Sequence, residues 1–238
     1  MKKIVAIAAF FLGLLSTPHA QDGDLRLGFQ VSPMVSIINT DENAINADGA
    51  NLGLKLGMRA EFYFRENYAF IGGLGFSFNS GGTLRYENTN ANTFPWQGSV
   101  SELPQNVDPA FPGPKEFKYN LQYVEIPFGL KFKTKEFGYL RYYAEIPVFT
   151  LGFRSQARGA VEFTNVNEDK IDIKEDVRSL AFSWGAGGGI EYAVSDGTSI
   201  IGGISFQNQF TDLSKNYKPD VDTRTKLNNI ILRLGVMF

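Results

Sequence analysis

The stretch 227–238 (LNNIILRLGVMF) sets Ile230, Leu232, Leu234, Val236 and Phe238 against Asn229, Ile231, Arg233, Gly235 and Met237. A two-residue period lines one apolar row along a single face of a β-strand. The same period recurs along the chain. Leu25, Leu27, Phe29, Val31, Pro33, Val35 and Ile37 oppose Arg26, Gly28, Gln30, Ser32, Met34 and Ser36. A chain built of such rows has to bury or cover one whole face of every strand, and it has to dispose of its sheet edges.

The rows that follow are of the same kind. Leu52, Leu54, Leu56, Met58, Ala60, Phe62 and Phe64 oppose Lys55, Gly57, Arg59, Glu61 and Tyr63; Phe70, Leu74, Phe76 and Phe78 oppose Gly73, Gly75 and Ser77. Val124, Ile126, Phe128, Leu130 and Phe132 oppose Glu125, Gly129 and Lys131, and a fifth strand covers 139–153. Leu180, Phe182, Trp184, Ala186, Ile190 and Tyr192 form a sixth row, and Ile200, Ile204, Phe206 and Phe210 a seventh. The predicted connections alternate in length: loops at 39–49, 80–118, 155–176 and 211–223, tight turns at 65–68, 134–138 and 195–198. Ser-Asp-Gly-Thr at 195–198 carries a hairpin signal. Five of the ten prolines fall in 80–118, which reads as a loop ordered by Phe94, Trp96 and Phe111.

Residues 1–20 read as a cleaved secretory signal, with Lys2 and Lys3, an apolar core at 4–15 and small residues toward Ala20; 21–238 is one domain. Past this leader no apolar run is long enough for a membrane helix. The mature chain, at about −4, is too acidic for a nucleic-acid binder. Cysteine is absent and the single histidine, His19, leaves with the signal, which removes thiol chemistry and the usual catalytic base. No enzymatic role and no cofactor is expected.

Periodicity alone does not say which face is inside. In a soluble lipocalin-like barrel the apolar row turns inward around a ligand. The opposite face here is rich in glycine and carries Arg26, Lys55, Arg59, Glu61, Glu125, Lys131, Arg141, Glu145, Glu191 and Arg233. Small residues suit the crowded interior of eight strands, and in hydrocarbon only a closed sheet pairs every backbone group. The expected fold is all-β: an eight-stranded antiparallel up-and-down transmembrane β-barrel with short periplasmic turns and long extracellular loops.

The YVEIP stretch at 123–127 running into GLKF at 129–132, the leader, the glycine-rich strands and the terminal LRLGVMF resemble the small outer-membrane β-barrel family labelled PorT-like or OmpA-like. The resemblance implies a cell-outer-membrane location among lipid and lipopolysaccharide. It also implies folding by the barrel assembly machinery, with Leu234, Val236 and Phe238 as the assembly signal. An envelope partner, such as a secretion or surface complex, is implied too, and loops 80–118 and 155–176 are where it would dock.

The ten inward charges are near balance, which predicts a plugged lumen of salt bridges; a small passive porin is the alternative. Glu125 and Glu145, each two residues before a proline, are expected at one height, where shared cations are a better account than acid/base chemistry. Gly185, Gly187, Gly188 and Gly189 lack the lysine and helix of a phosphate loop and read as close packing. Asp41, Glu42 and Asp48, with Glu168, Asp169, Asp172, Glu175 and Asp176, are acidic loop residues, at most a weak cation rim. Two aromatic girdles are expected: Tyr68, Tyr139, Tyr142, Tyr143 and Tyr192 at the turn end, and Tyr119, Phe149, Phe153, Trp184 and Phe210 at the loop end.

Overall fold

The computed structural model describes residues 25–41, 45–86, 96, 115–163, 166–195, 197–215 and 224–238. The signal segment, and with it the division at residue 20, lies outside them. The strands are β1 (Leu25–Thr40), β2 (Ile45–Arg65), β3 (Tyr68–Tyr86), β4 (Lys115–Lys133), β5 (Leu140–Phe163), β6 (Val166–Asp172), β7 (Leu180–Ala193), β8 (Ser199–Gln209) and β9 (Thr225–Met237). Eight of them pair antiparallel with their neighbours in a closed ring, β1 through β5 and then β7, β8 and β9 back to β1; β6 folds against the outer part of β5. The ring closes from Gly28 opposite Met237 to Thr40 opposite Thr225. A closed ring leaves no unpaired edge among these eight strands.

Outward residues are apolar over a central band. Phe29, Leu52, Phe70, Phe128, Ile204 and Leu234 all expose their side chains, whereas Ser32, Glu61, Ser77, Lys131 and Glu191 are buried inside. The lipocalin-like arrangement, apolar inward, is therefore not the one adopted in this band. Tyr68, Tyr139, Tyr142 and Tyr192 face outward at the turn end, and Phe153, Trp184 and Phe210 at the other. Two girdle expectations are corrected: Tyr143 and Tyr119 are buried in the interior. Tyr119 is two positions on from Phe117 and shares its inward parity; Tyr143 alternates with outward Tyr142. Nearness to a strand end did not decide their direction; parity did.

The strands run beyond this band. At about 3.3 Å per residue, β5 with its 24 residues reaches about 80 Å, far more than the ~10 residues a bilayer crossing needs. Three loop expectations are accordingly corrected. The connection after β1 is short, because Ser36 pairs with Asn51 and Ile37 with Ala50, so strand occupies most of 39–49. The predicted loop 80–118 loses both ends to strand, since Thr83 pairs with Lys118 and Leu84 with Phe117; of its middle only Trp96 lies among the described residues. Most of 155–176 is a hairpin of β5 and β6, with Arg158 opposite Asp172.

The reason is that the hydrophobic phase inverts along the strand. On β4, Val124, Ile126 and Phe128 point out and Glu125 and Lys131 point in, but further up Phe117, Tyr119, Leu121 and Tyr123 point in and Lys118 and Asn120 point out. Inside hydrocarbon the apolar row must face out; above it, in water, the same sheet buries its apolar row within. Arg154 fastens the upper part by donating to the carbonyl of Val177 at 2.8 Å and to that of Lys174. Asp212 accepts from the amides of Thr225 and Ser214 at 3.0 and 3.2 Å.

Candidate functional site

The ring encloses a lumen whose contents change with height. At the turn end is an open vestibule of about 830 Å³ reaching Arg26, Tyr63, Lys133, Arg141 and Ser199. Above it lies a charged layer. Lys131, 1% exposed, donates to both oxygens of Glu61 at 2.9 Å and to Glu191 at 3.1 Å. Arg59 binds Glu61 at 3.1 Å and also pairs with Glu145, which accepts from Arg233 on β9 as well. Arg26 pairs with Glu191 and reaches Ser199, whose hydroxyl donates to Glu191 at 2.9 Å; Tyr63 donates to Glu61 at 2.7 Å.

Every carboxylate in this layer has two or more partners contributed by different strands, the condition under which buried ions are tolerated in a narrow interior. The layer ties β1, β2, β4, β5, β7 and β9 together across the lumen. Tyr143 extends it, with Lys131 over its ring at 4.8 Å. Room for Tyr143 comes from Gly203, where an added Cβ would collide with the phenol oxygen.

Lys55 and Glu125 form a separate pair one level up, at 2.7 and 2.8 Å, with Lys55 also donating to Gln207 at 2.6 Å. They border a cavity of about 90 Å³ with Gln30, Ser205 and Arg233. A smaller space of about 20 Å³ adjoins it, lined by Tyr123, Asn229 and Gln209.

The top of the lumen is apolar. Ile38, Leu84, Phe117, Leu121, Val161, Ile173, Val177 and Leu213 pack into one buried cluster. Trp96 enters this cluster from the connection between β3 and β4 and is fully buried, edge-on to Phe117 at 5.0 Å and to Tyr119 at 5.4 Å. Burial in this cluster, above the band that faces lipid, pushes the Tyr119 phenol well up from its usual range.

Of the ten charges read from sequence, Arg26, Arg59, Glu61, Lys131, Glu145, Glu191 and Arg233 thus meet in one layer, and Lys55 and Glu125 in another. Arg141 joins neither: at the rim it pairs with Glu136 and is about one-third exposed. Glu125 and Glu145 are not at one height. Lys131 lies opposite Glu145 while Glu125 lies opposite Gly152, because the hairpin reverses nearer Gly138 than its predicted centre and irregularities shift the register. Gly185 and Gly187–Gly189 lie within β7, without a phosphate-loop geometry. Glu42 lies outside the described residues, and of the described acidic side chains Asp48 faces Arg85 at 3.5 Å, Asp172 faces Lys174 at 3.1 Å, and Asp41 accepts from the Arg224 amide at 2.7 Å. Among the described residues no group of three or more could hold a metal ion. The apolar upper cluster was missed by sequence reading, although the inward parity of Phe117, Tyr119 and Leu121 relative to Glu125 carried the signal.

The family model described as outer membrane protein beta-barrel domain matches residues 19–215. The chain belongs to this family. It is an outer-membrane β-barrel. Solved structures of similar architecture include Neisserial surface protein A, 11% identical with a TM-score of 0.45, covering 91% of this chain and 98% of that one. A major outer membrane protein from Thermus thermophilus is 12% identical with a TM-score of 0.46, covering 90% and 99%. Ail of Yersinia pestis, in complex with the heparin analogue sucrose octasulfate, is 13% identical with a TM-score of 0.41, covering 92% and 100%. No curated protein matches the sequence.

Proposed function

We propose that this outer-membrane barrel is a sealed scaffold whose work is to present its extracellular segments, 80–118 and 155–176, to a partner in the envelope or at the surface, rather than to conduct solutes. The observation that carries this reading is Lys131, 1% exposed between Glu61 and Glu191 at the centre of the lumen. A conducting path would need this layer parted, leaving charges without partners in a low-dielectric interior. The apolar cluster around Trp96 is a second obstruction higher up. The mature chain's lack of histidine is consistent with a non-enzymatic role.

The hairpin of β5 and β6 supports the presenting role, since its strands extend past the apolar band and expose Arg158, Glu162 and Asp169. Co-purification from native outer membranes tests it, comparing the full chain with one whose 97–112 segment is replaced by a short glycine-serine linker. The reading predicts at least one stoichiometric protein held by the full chain and lost from the shortened one. An identical set of co-purifying proteins from the two, both folded, contradicts it.

A further inference from the structure

The vestibule at the periplasmic end is a large cavity that the sealed-scaffold reading leaves unused. Its walls carry five cations, Arg26, Arg65, Lys133, Lys135 and Arg141, against the carboxylates Glu66 and Glu136. Two of the cations are already committed, Arg26 to Glu191 and Arg141 to Glu136. Arg65, Lys133 and Lys135 form no ion pair with any described residue. Lys133 is half-buried, its ammonium 3.9 Å from the centre of the Tyr63 ring, and it feels Arg141, Arg26 and Lys131 as well as Glu191.

Holding three cations around one concavity against the single uncommitted carboxylate of Glu66 costs repulsion that a bound anion would remove. They come from two separate places on the rim: Arg65 ends β2, while Lys133 ends β4 and Lys135 lies in the connection to β5. The opposite wall, from the β7–β8 hairpin, adds the hydroxyls of Ser195 and Thr198. A planar carboxylate is satisfied by one fork of donors. Donors arriving from several directions suit a tetrahedral phosphate, whose charged terminal oxygens point apart. The volume of about 830 Å³ leaves space for whatever that group is attached to.

We propose that this vestibule is a binding site for a phosphate-bearing ligand presented from the periplasmic side, with Arg65, Lys133 and Lys135 as the binding cations and Ser195 and Thr198 as hydroxyl donors. Its source is either a soluble phosphate ester or the headgroup of a phospholipid of the inner leaflet. This goes beyond the scaffold reading and stands without it.

Titration calorimetry on the full barrel, refolded in a neutral detergent at low ionic strength, tests the site with inorganic phosphate and glycerol phosphate. Flotation with vesicles of phosphatidylglycerol or of phosphatidylcholine tests the lipid source. Saturable binding of glycerol phosphate identifies a soluble ester, and flotation confined to phosphatidylglycerol identifies a headgroup. In either arm the triple variant Arg65→Gln, Lys133→Gln, Lys135→Gln weakens binding by about tenfold or more, from about two- to threefold per contact. Lys174→Gln, at the opposite end of the barrel, leaves it unchanged. A gel-shift check on unboiled samples establishes that each variant is folded. Binding absent in both arms, or equal affinity in the folded triple variant, overturns the proposal.

Discussion

Phe238 and Leu27 exchange backbone hydrogen bonds, the Phe238 amide donating to the Leu27 carbonyl at 2.7 Å and the Leu27 amide to the Phe238 carbonyl at 3.3 Å. This pair fastens the turn end of the seam between β1 and β9, while the Phe238 ring, 56% exposed, lies on the lipid side beside Leu25 and Leu27. Seam and lipid anchor are thus made by one residue. We expect Phe238→Ala to lower the yield of folded barrel several-fold in cells and to slow its refolding into vesicles, both read from heat-dependent migration on gels. Equal accumulation of the variant counts against a role for Leu234, Val236 and Phe238 in assembly.

Lys131→Met removes the cation shared by Glu61 and Glu191 and leaves them with fewer partners at 0% and 1% exposure. Breaking one member of a buried ionic group costs about 3–5 kcal/mol. Equilibrium unfolding in denaturant should show a loss of that order. The exposed pair Lys174–Asp172 provides the contrast: Lys174→Met is expected to change stability by about 0.5 kcal/mol or less.

Trp96 and Trp184 are the only two tryptophans, one sealed in the upper cluster and one facing lipid at 42% exposure. In a Trp184→Phe background the emission of Trp96 is expected to be blue-shifted and insensitive to iodide. Adding Gly159→Ala places a Cβ 2.5 Å from the Trp96 ring, which forces the indole out. Its emission should then shift to the red and become quenchable. Unchanged emission in the double variant is the contrary result.

On the lipid face, Leu232 is 46% exposed and sits mid-row between Ile230 and Leu234. An arginine there meets hydrocarbon, at a cost of about 2–4 kcal/mol near the midplane. Lys118→Arg, above the apolar band on an outward-facing position, should cost nothing measurable. Unfolding from lipid vesicles compares the two.

The membrane-spanning part of this fold was legible because hydrocarbon imposes one rule on every strand: the outward row is apolar from Leu25 to Val31, from Leu52 to Phe62 and from Ile230 to Phe238. The even strand count and the seam follow from that. What escaped reading obeys a different solvent. Above the bilayer Phe117, Tyr119 and Leu121 turn inward for the same reason that Ile126 and Phe128 turn outward below, and a pattern sought with one fixed phase breaks off where the medium changes. The five prolines from Pro95 to Pro114 extend the loop expectation back over Gly81 and Gly82, a segment that in fact pairs with β4.

Within the lumen, residue types were legible and partners were not. Parity places Glu145 and Glu125 on the inner face, but which cation each meets depends on the stagger between strands. The position of the turn near Gly138, with the register shifts in the β4–β5 hairpin, sets Glu145 beside Arg59 and Arg233 and leaves Glu125 to Lys55. Arg141 shares the inner parity yet lies so near the turn that Glu136, from the connection itself, takes it.

The claim that the barrel is sealed is tested most directly by single-channel recording of the purified, folded protein in planar bilayers. The charged layer around Lys131 and the apolar cluster around Trp96 predict a silent membrane, with no steady conductance across a wide range of voltage. Reproducible ohmic steps that scale with the amount of folded protein would contradict it.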